Sequence, residues 1–182
     1  MIGAITAGLF STGTAASTNS YESIATSTVG SGGSSSITFS SIPSTYKHLQ
    51  VRFIANNASA QDIFVRFNGD SGSNYWRHFL YGQGTSATAG SDASGGNKIS
   101  LGYTSTTSGI FGNGVFDLLD YVSTNKYKTA RSLCGYDANG SGYVLLFSGL
   151  WSSTSAVNAL EIFPTSGNFN QYSSFALYGI KG

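Results

Sequence analysis

Apolar and polar residues alternate over short stretches of the chain, and the clearest example lies in residues 36–55. Ile37 and Phe39 alternate with serine and threonine, which is the two-residue period of a half-buried strand. Pro43 lacks a backbone donor and has a fixed φ, so it ends the strand ladder and turns the chain. The apolar positions then resume at every second residue, at Leu49, Val51, Phe53 and Ala55. This segment therefore predicts a strand, a corner and a second strand, which we expect to nucleate the fold.

Similar stretches recur between turn-forming residues along the rest of the chain. They are residues 21–29, 62–68, 75–82, 99–103, 115–122, 129–136, 143–151, 156–163 and 175–180. The continuous apolar run of residues 143–151 predicts a central strand buried on both faces. Residues 83–97 lack apolar anchors and predict a long loop, and the Asn-Gly pairs at residues 68–69 and 139–140 predict tight turns. The pattern predicts an all-β protein, a jelly-roll-like β-sandwich of about ten antiparallel strands.

Residues 1–19 differ from the rest of the chain and are expected to form a short N-terminal arm. Its bulky apolar residues are Ile2, Ile5, Leu9 and Phe10. No positively charged region precedes them, so we expect neither a signal peptide nor a membrane span. Such an arm is either loose in isolation or docked onto a neighbouring subunit, and docking is favoured because bulky apolar residues on a free tail promote aggregation. Residues 20–182 are expected to form a single β-sandwich domain.

Charged residues make up 9% of the chain, far below the roughly 25% of an average soluble protein. Such a low charge favours a protein whose surface meets other proteins or sugars. The net charge of +1 and the scattered Lys and Arg residues predict no nucleic-acid partner. The single cysteine, Cys134, lies in a strand-like run and is expected to be a small buried apolar residue.

Residues able to support catalysis or metal binding are few. His48 and His78 have no second ligand nearby in the sequence, so a zinc site is not expected. Asp117 and Asp120 are three residues apart and point to opposite sides of a strand, which excludes a glycosidase pair from that strand. Asp70 lies in the turn of residues 68–74, and one carboxylate is too few for a tight Ca²⁺ site. We therefore expect no enzymatic activity, no metal and no cofactor.

The aromatic stretch of residues 75–82 is the strongest candidate for ligand contact. Alternation places Tyr75, Phe79 and Tyr81 on one face and Trp76, His78 and Leu80 on the other. One face is expected to pack in the core. The other face is open to two interpretations, since exposed aromatic rings stack on sugars or fill subunit interfaces.

Three framework motifs carry a family resemblance. They are ITFSSIP at residues 37–43 with Tyr46 and Leu49, FNGD at residues 67–70, and LYGIK at residues 177–181. In these motifs the chain resembles small virion structural proteins of tailed bacteriophages, from Tyr21 to the end of the sequence. The resemblance implies a jelly-roll-like, trimeric and non-catalytic particle component.

From this resemblance we expect a homotrimeric capsid decoration (cement) protein that is assembled in the host cytoplasm and resides in the virion. Its partners are expected to be copies of itself and the major capsid protein or other virion proteins. Ile2, Ile5, Leu9 and Phe10 are the expected assembly contacts. The alternative is a tail, neck or fibre component that binds host-surface glycans through Tyr75, Trp76 and Tyr81.

Overall fold

The computed structural model describes residues 20–91 and 95–182, and its regular elements in these ranges are all β-strands. The first six strands are β1 (Tyr21–Thr28), β2 (Ile37–Phe39), β3 (His48–Ala55), β4 (Asp62–Phe67), β5 (Tyr75–Gln83) and β6 (Ser86–Ser91). The other six are β7 (Ile99–Tyr103), β8 (Gly112–Leu119), β9 (Lys128–Asp137), β10 (Gly142–Trp151), β11 (Leu160–Pro164) and β12 (Ser174–Ile180). Within the same ranges, no helix is long and apolar enough to cross a membrane. The predicted all-β class is confirmed.

The strands form two antiparallel sheets of unequal size. The larger sheet has eight strands in the order β1-β12-β3-β8-β9-β10-β5-β6, and the smaller has four in the order β2-β11-β4-β7. Both sheets contribute to one hydrophobic core, which includes Val51 and Phe116 of the larger sheet and Val65 and Ile162 of the smaller. The arrangement is β-sandwich-like, and the side of the larger sheet turned away from this core is called the outer face below.

The corner of residues 36–55 carries the chain from one sheet to the other. β2 belongs to the smaller sheet and β3 to the larger, so the segment around Pro43 is a crossing between layers. Ile42 is buried within it, and its backbone N–H donates to the Asn158 carbonyl at 2.9 Å. The hydroxyl of Tyr121 donates to the Pro43 carbonyl. The predicted strand–corner–strand unit is confirmed, and it joins the two layers.

The ring of Phe53 in β3 lies against two glycines. Gly114 is its cross-strand neighbour in β8, and Gly102 lies in β7 of the smaller sheet. A Cβ added at Gly102 would lie 2.4 Å from the Phe53 ring, and one added at Gly114 would lie 2.6 Å from it. Since non-bonded carbon atoms pack at roughly 3.5–4.0 Å, the ring fits only because both positions lack a side chain.

The Asn-Gly pairs at residues 68–69 and 139–140 adopt the positive φ angles expected of tight turns, but they connect different elements. Asn139 and Gly140 (φ 56° and 101°) close the β9–β10 hairpin, which is the usual role of this pair. Asn68 and Gly69 (φ 54° and 70°) instead lead from β4 in the smaller sheet to β5 in the larger. The Asn68 side chain fixes this crossing, because its Oδ1 accepts from the Asn158 N–H at 2.9 Å.

The prediction of a long loop over residues 83–97 is wrong, because β6 (Ser86–Ser91) lies within it. β6 pairs with β5 from Gln83↔Ser86 to His78↔Ser91. Its serines, alanines, glycine and single threonine carry no apolar alternation, so its strand conformation follows from backbone pairing rather than from side-chain burial. The described residues therefore form twelve strands, where about ten were expected.

The prediction that β10 is buried on both faces is also wrong. Leu145 and Phe147 point into the core, whereas Val144 is 60% and Leu146 49% exposed. The smaller sheet covers one side of β10, and the other side lies on the outer face. The apolar residues of that side remain in contact with solvent.

Candidate protein–protein interface

Four neighbouring strands place exposed aliphatic side chains in one row on the outer face. The registers of β8, β9, β10 and β5 align Val115↔Leu133, Leu133↔Leu146 and Leu146↔Leu80. These residues form the apolar ladder, and their exposed fractions are 37% for Val115, 58% for Leu133, 49% for Leu146 and 50% for Leu80. Cross-strand neighbours on one face lie roughly 4.5–5.5 Å apart between Cβ atoms, so the ladder is a continuous surface.

A second row lies two residues further along the strands. Val144 projects from it, with Gly135 of β9 on one side and Gly82 of β5 on the other. Because the glycines have no side chains, they leave an open groove of about 790 Å³ beside the ladder. Val115 and Leu133 also line this groove, as does the turn that closes the β9–β10 hairpin. We call this depression the glycine groove.

On its other side the ladder meets a chain of hydrogen bonds, which we call the polar border. The Gln50 side-chain amide donates to Asp117 Oδ1 at 2.7 Å, and Arg131 Nε donates to Asp117 Oδ2 at 3.0 Å. Arg52 Nε donates to Gln50 Oε1 at 2.9 Å, and the Tyr21 hydroxyl donates to the same oxygen. The border thus links β1, β3, β8 and β9 and leaves Asp117 paired with a cation.

Aromatic rings extend the polar border toward the edge of the sheet. The rings of Tyr21 and Tyr178 lie 4.9 Å apart, and the Arg52 guanidinium lies 5.2 Å and 5.6 Å from their centroids. Burial raises the pKa of Tyr21 above its usual value, although the charge of Arg52 opposes this. The Tyr21 hydroxyl therefore stays protonated near neutral pH and acts as a donor.

The outer face combines an apolar centre with a hydrogen-bonded rim. Interfaces between proteins have this anatomy, and arginine and tyrosine are enriched in them. Monomeric proteins rarely leave large contiguous apolar surfaces in water. The arrangement can bury apolar area against another protein surface.

The residues predicted to contact glycans do not form one surface. Tyr75 is fully buried and its ring lies 6.3 Å from that of Trp151, so no sugar can reach it. Tyr81 packs on the core side, with its ring 6.0 Å from Phe79. Trp76 lies on the opposite side of β5, because it follows the buried Tyr75. Grouping the three as one contact set is wrong, although their predicted division between two faces is confirmed.

The predicted assembly contacts Ile2, Ile5, Leu9 and Phe10 lie outside the described residues. Their role stays a prediction.

Cys134 is buried, as predicted, and burial raises the pKa of its thiol to about 12.

Asp70 builds a structural turn. Its Oδ2 accepts from Trp151 Nε1 at 2.7 Å and from Asn74 Nδ2 at 2.9 Å, and its Oδ1 accepts from the Gly72 N–H at 2.8 Å. Burial raises its pKa, but these hydrogen bonds outweigh burial and the net pKa is lowered. Over residues 20–91 and 95–182, no three His, Cys, Asp or Glu side chains come together as a candidate metal site.

Asp117 and Asp120 serve separate structural contacts. Asp117 belongs to the polar border, whereas Asp120 follows the end of β8 and has a positive φ of 48°. Asp120 pairs with Lys126 and, at 3.1 Å, with Lys47. Hydrogen bonds from these two lysines lower the pKa of Asp120 to about 2. The two carboxylates do not share a site.

Sequence reasoning missed the apolar ladder even though its signal was present. Leu133 interrupts an otherwise polar side of β9, and the uninterrupted run of β10 places apolar residues on both faces. Such a run is normally interpreted as burial of the strand on both faces.

Comparison with known protein families finds no family model that matches the chain, and comparison with curated proteins finds no matching sequence.

Proposed function

We propose that this protein is a non-enzymatic structural subunit of a virion, a homotrimeric capsid decoration (cement) protein that stabilises the shell by bridging capsomers. The observation that carries the proposal is the apolar ladder with its polar border. A surface of this kind is suited to contact with protein, and a particle subunit spends its working life in such contacts. The low charge of the chain supports the same proposal.

The strand order supports the jelly-roll part of the proposal. The sets β1-β12-β3-β8 and β2-β11-β4-β7 oppose four strands with four, as in the eight-stranded jelly roll common in viral capsid and lectin domains. The remaining strands, β9-β10 and β5-β6, are two hairpins that extend the larger sheet. Three of the four ladder residues lie on this extension, so the added hairpins supply most of the proposed interface.

A closed trimer offers a way to remove the ladder from water. In a cyclic assembly the same patch is used by every copy, and closure leaves no patch to recruit further copies. Weak contacts of each subunit with the shell then add up, because the second and third contacts form at a high effective concentration. The polar border gives the contact its orientation, because charged groups at the rim of an interface determine how the partners are aligned more than how tightly they bind.

The test is the mass of the protein in solution. Leu133→Lys and Leu146→Lys place a charge in the proposed interface, and Thr38→Lys places one at an exposed position of the smaller sheet as a matched control. We expect trimers for the wild type and for Thr38→Lys, and folded monomers for the two ladder variants. A monomeric wild type, or a trimer unaffected by both ladder variants, would contradict the proposal.

The position on the particle is tested by copy number. We expect the protein in purified virions at a number comparable to that of the major capsid protein. A much smaller number would place it in the tail or neck and contradict the decoration role.

Glycan binding by a tail, neck or fibre component is a second candidate, favoured by a group of tyrosines beside Tyr81. The Tyr143 ring lies 5.8 Å from that of Tyr81, 5.6 Å from Tyr103 and 5.8 Å from Tyr136. The four tyrosines are partly exposed, and the Gln61 side-chain amide donates to Tyr136. Tyrosine rings with a nearby amide offer both stacking and hydrogen bonding to a sugar.

This second candidate has its own test on a glycan array. Tyr81→Ala and Tyr143→Ala should abolish specific binding, whereas Trp76→Ala on the opposite face should retain it. An array without specific binding, or binding lost only in Trp76→Ala, would remove the tyrosine group as a glycan site.

A further inference from the structure

The glycine groove has the shape of a receptor for apolar side chains. Its floor includes Gly82 and Gly135, and Val144 and Leu133 rise beside it. Gly82 lines the groove, and a Cβ there would lie 3.3 Å from Val144 Cγ1, so a larger side chain would crowd Val144 and occupy space in the groove. Of the residues that line the groove, the charged one is Asp137, whose carboxylate accepts from the Asn139 N–H within the hairpin turn.

The chain itself contains a segment that matches this groove. Residues 1–19 include no charged side chain, and their bulky apolar residues are Ile2, Ile5, Leu9 and Phe10. A neutral apolar segment loses no ionic hydration when it enters a mostly apolar groove, whereas a charged segment would lose it. Side chains of this size each gain roughly 1.5–3 kcal/mol on full burial, which is enough for a few of them to hold a short segment.

The point of attachment is compatible with docking between copies. Residue 20 precedes β1, the strand at one end of the larger sheet, and the groove lies on β8, β9, β10 and β5. A segment of 19 residues spans up to about 63 Å when extended, several times the roughly 19 Å that separates β1 from β9 at 4.8 Å per strand. Within one copy, the direct path over the outer face crosses the polar border at Tyr21 and Arg52. A segment from a neighbouring copy avoids that crossing.

We propose that residues 1–19 of one copy dock in the glycine groove and along the apolar ladder of a neighbouring copy. The inference rests on the proposed homo-oligomer and names the contact that holds it together. Docking of this kind covers the ladder and gives every copy the same pair of contacts, one as donor of the segment and one as receiver. Such head-to-tail contacts close into a ring when the rotation between successive copies is a whole fraction of a full turn, as it is in the proposed trimer.

Disulfide trapping between two differently marked populations tests the docking. One population carries Cys in place of Ile2, Ile5, Leu9 or Phe10 in turn, and the other carries Val144→Cys in the groove wall. Cys134 is buried and stays unreactive, so background pairing is low. After mixing and mild oxidation, we expect a linked pair for at least one position. Thr38→Cys, on the smaller sheet, serves as the matched partner and should give several-fold less product.

Two further measurements distinguish a failure of the docking proposal from a failure of the proposed oligomer. Gly82→Leu should fill the groove and reduce the linked product several-fold while the fold, followed by circular dichroism, is retained. Oligomers that show no linked product above the Thr38→Cys level would overturn the docking and leave the proposed function standing. A link formed only within one chain of a doubly substituted protein would also overturn it, whereas a monomeric wild type would overturn the proposed function itself.

Discussion

Lys128 is a buried lysine held entirely by backbone carbonyls. Its side chain is 0% exposed, and Nζ donates to Ser123 O at 2.7 Å, Lys126 O at 3.1 Å and Thr154 O at 3.2 Å. Burial lowers its pKa, and the charge of Lys126 adds to this effect. Lysine is almost never fully buried without partners, and here the three carbonyl oxygens are the partners. The ammonium instead ties the turn before β9 to the loop after β10.

Replacement of Lys128 should cost far more than replacement of its neighbour. Lys128→Met leaves three carbonyls without a donor, and we expect the free energy of unfolding to fall by about 2–3 kcal/mol. Lys126→Met removes an exposed ion pair with Asp120 and should cost under about 1 kcal/mol. Urea denaturation of both variants gives the comparison. Equal losses would show that the buried hydrogen bonds of Lys128 contribute no more to stability than the exposed ion pair of Lys126.

Asp120 makes stability depend on pH in the acid range. Its folded pKa of about 2 lies below the unfolded value of about 3.9, so its contribution is present above the unfolded pKa. That contribution is lost as the pH falls from about 4 toward about 2. We expect the melting temperature of Asp120→Asn to lie below that of the wild type at neutral pH and to converge with it at low pH. A constant difference between the two proteins across this range would contradict the ionic origin.

At the scale of the strands, the alternation of apolar and polar side chains predicted most of the fold. It failed where side-chain burial does not determine whether a segment forms a strand. The corner of residues 36–55 was predictable because Ile37, Phe39 and the apolar positions of β3 all face the core. β6 was not, because small polar residues form a strand there through backbone pairing with β5 alone. The candidate interface was missed for a different reason. An exposed apolar residue such as Leu146 has the same sequence signature as a buried one, and only the uncovered outer face distinguishes them.

The edge position of β6 predicts unequal protection of the strands. β6 pairs on one side with β5, and five of its six residues are exposed. β9 pairs on both sides and faces the core at every second residue. Local opening is easiest where few apolar contacts resist it. Hydrogen exchange should therefore be clearly faster in β6 than in β9, and equal protection would indicate that the free edge of β6 is covered in the assembly.

At the scale of the whole molecule, the unequal sheets determine which surface is available for assembly. The smaller sheet covers the inner side of the larger one, and the hairpin extension leaves its aliphatic residues on the outer face. An oligomer held by this face depends mainly on apolar burial, which salt does not screen. The ion pair of Asp117 and Arg131 lies at the border and contributes little once it is screened.

The proposed oligomer should accordingly resist high salt. We expect sedimentation at molar sodium chloride to give the same mass as at low ionic strength, because the ladder and groove carry the contact. Arg131→Ala should leave the mass unchanged at both salt concentrations, in contrast to Leu133→Lys. Dissociation of the wild type on addition of salt would assign the contact to charged residues instead.

The close packing of the Phe53 ring against Gly102 and Gly114 has a consequence for the evolution of this chain. A side chain at Gly102 or Gly114 collides with the ring, so neither glycine can be replaced while the phenylalanine remains. A smaller residue at position 53 would open the space and leave a cavity until Gly102 gains a methyl group. A Cβ at Gly114 would also lie 2.7 Å from the Cβ of Cys134, so Gly114 stays fixed in either case. Related sequences should therefore change at positions 53 and 102 together, with a small residue at 53 accompanying alanine or serine at 102. The change from one combination of residues to the other passes through a destabilised intermediate sequence. Such an intermediate is tolerated only when the protein is more stable than its function requires.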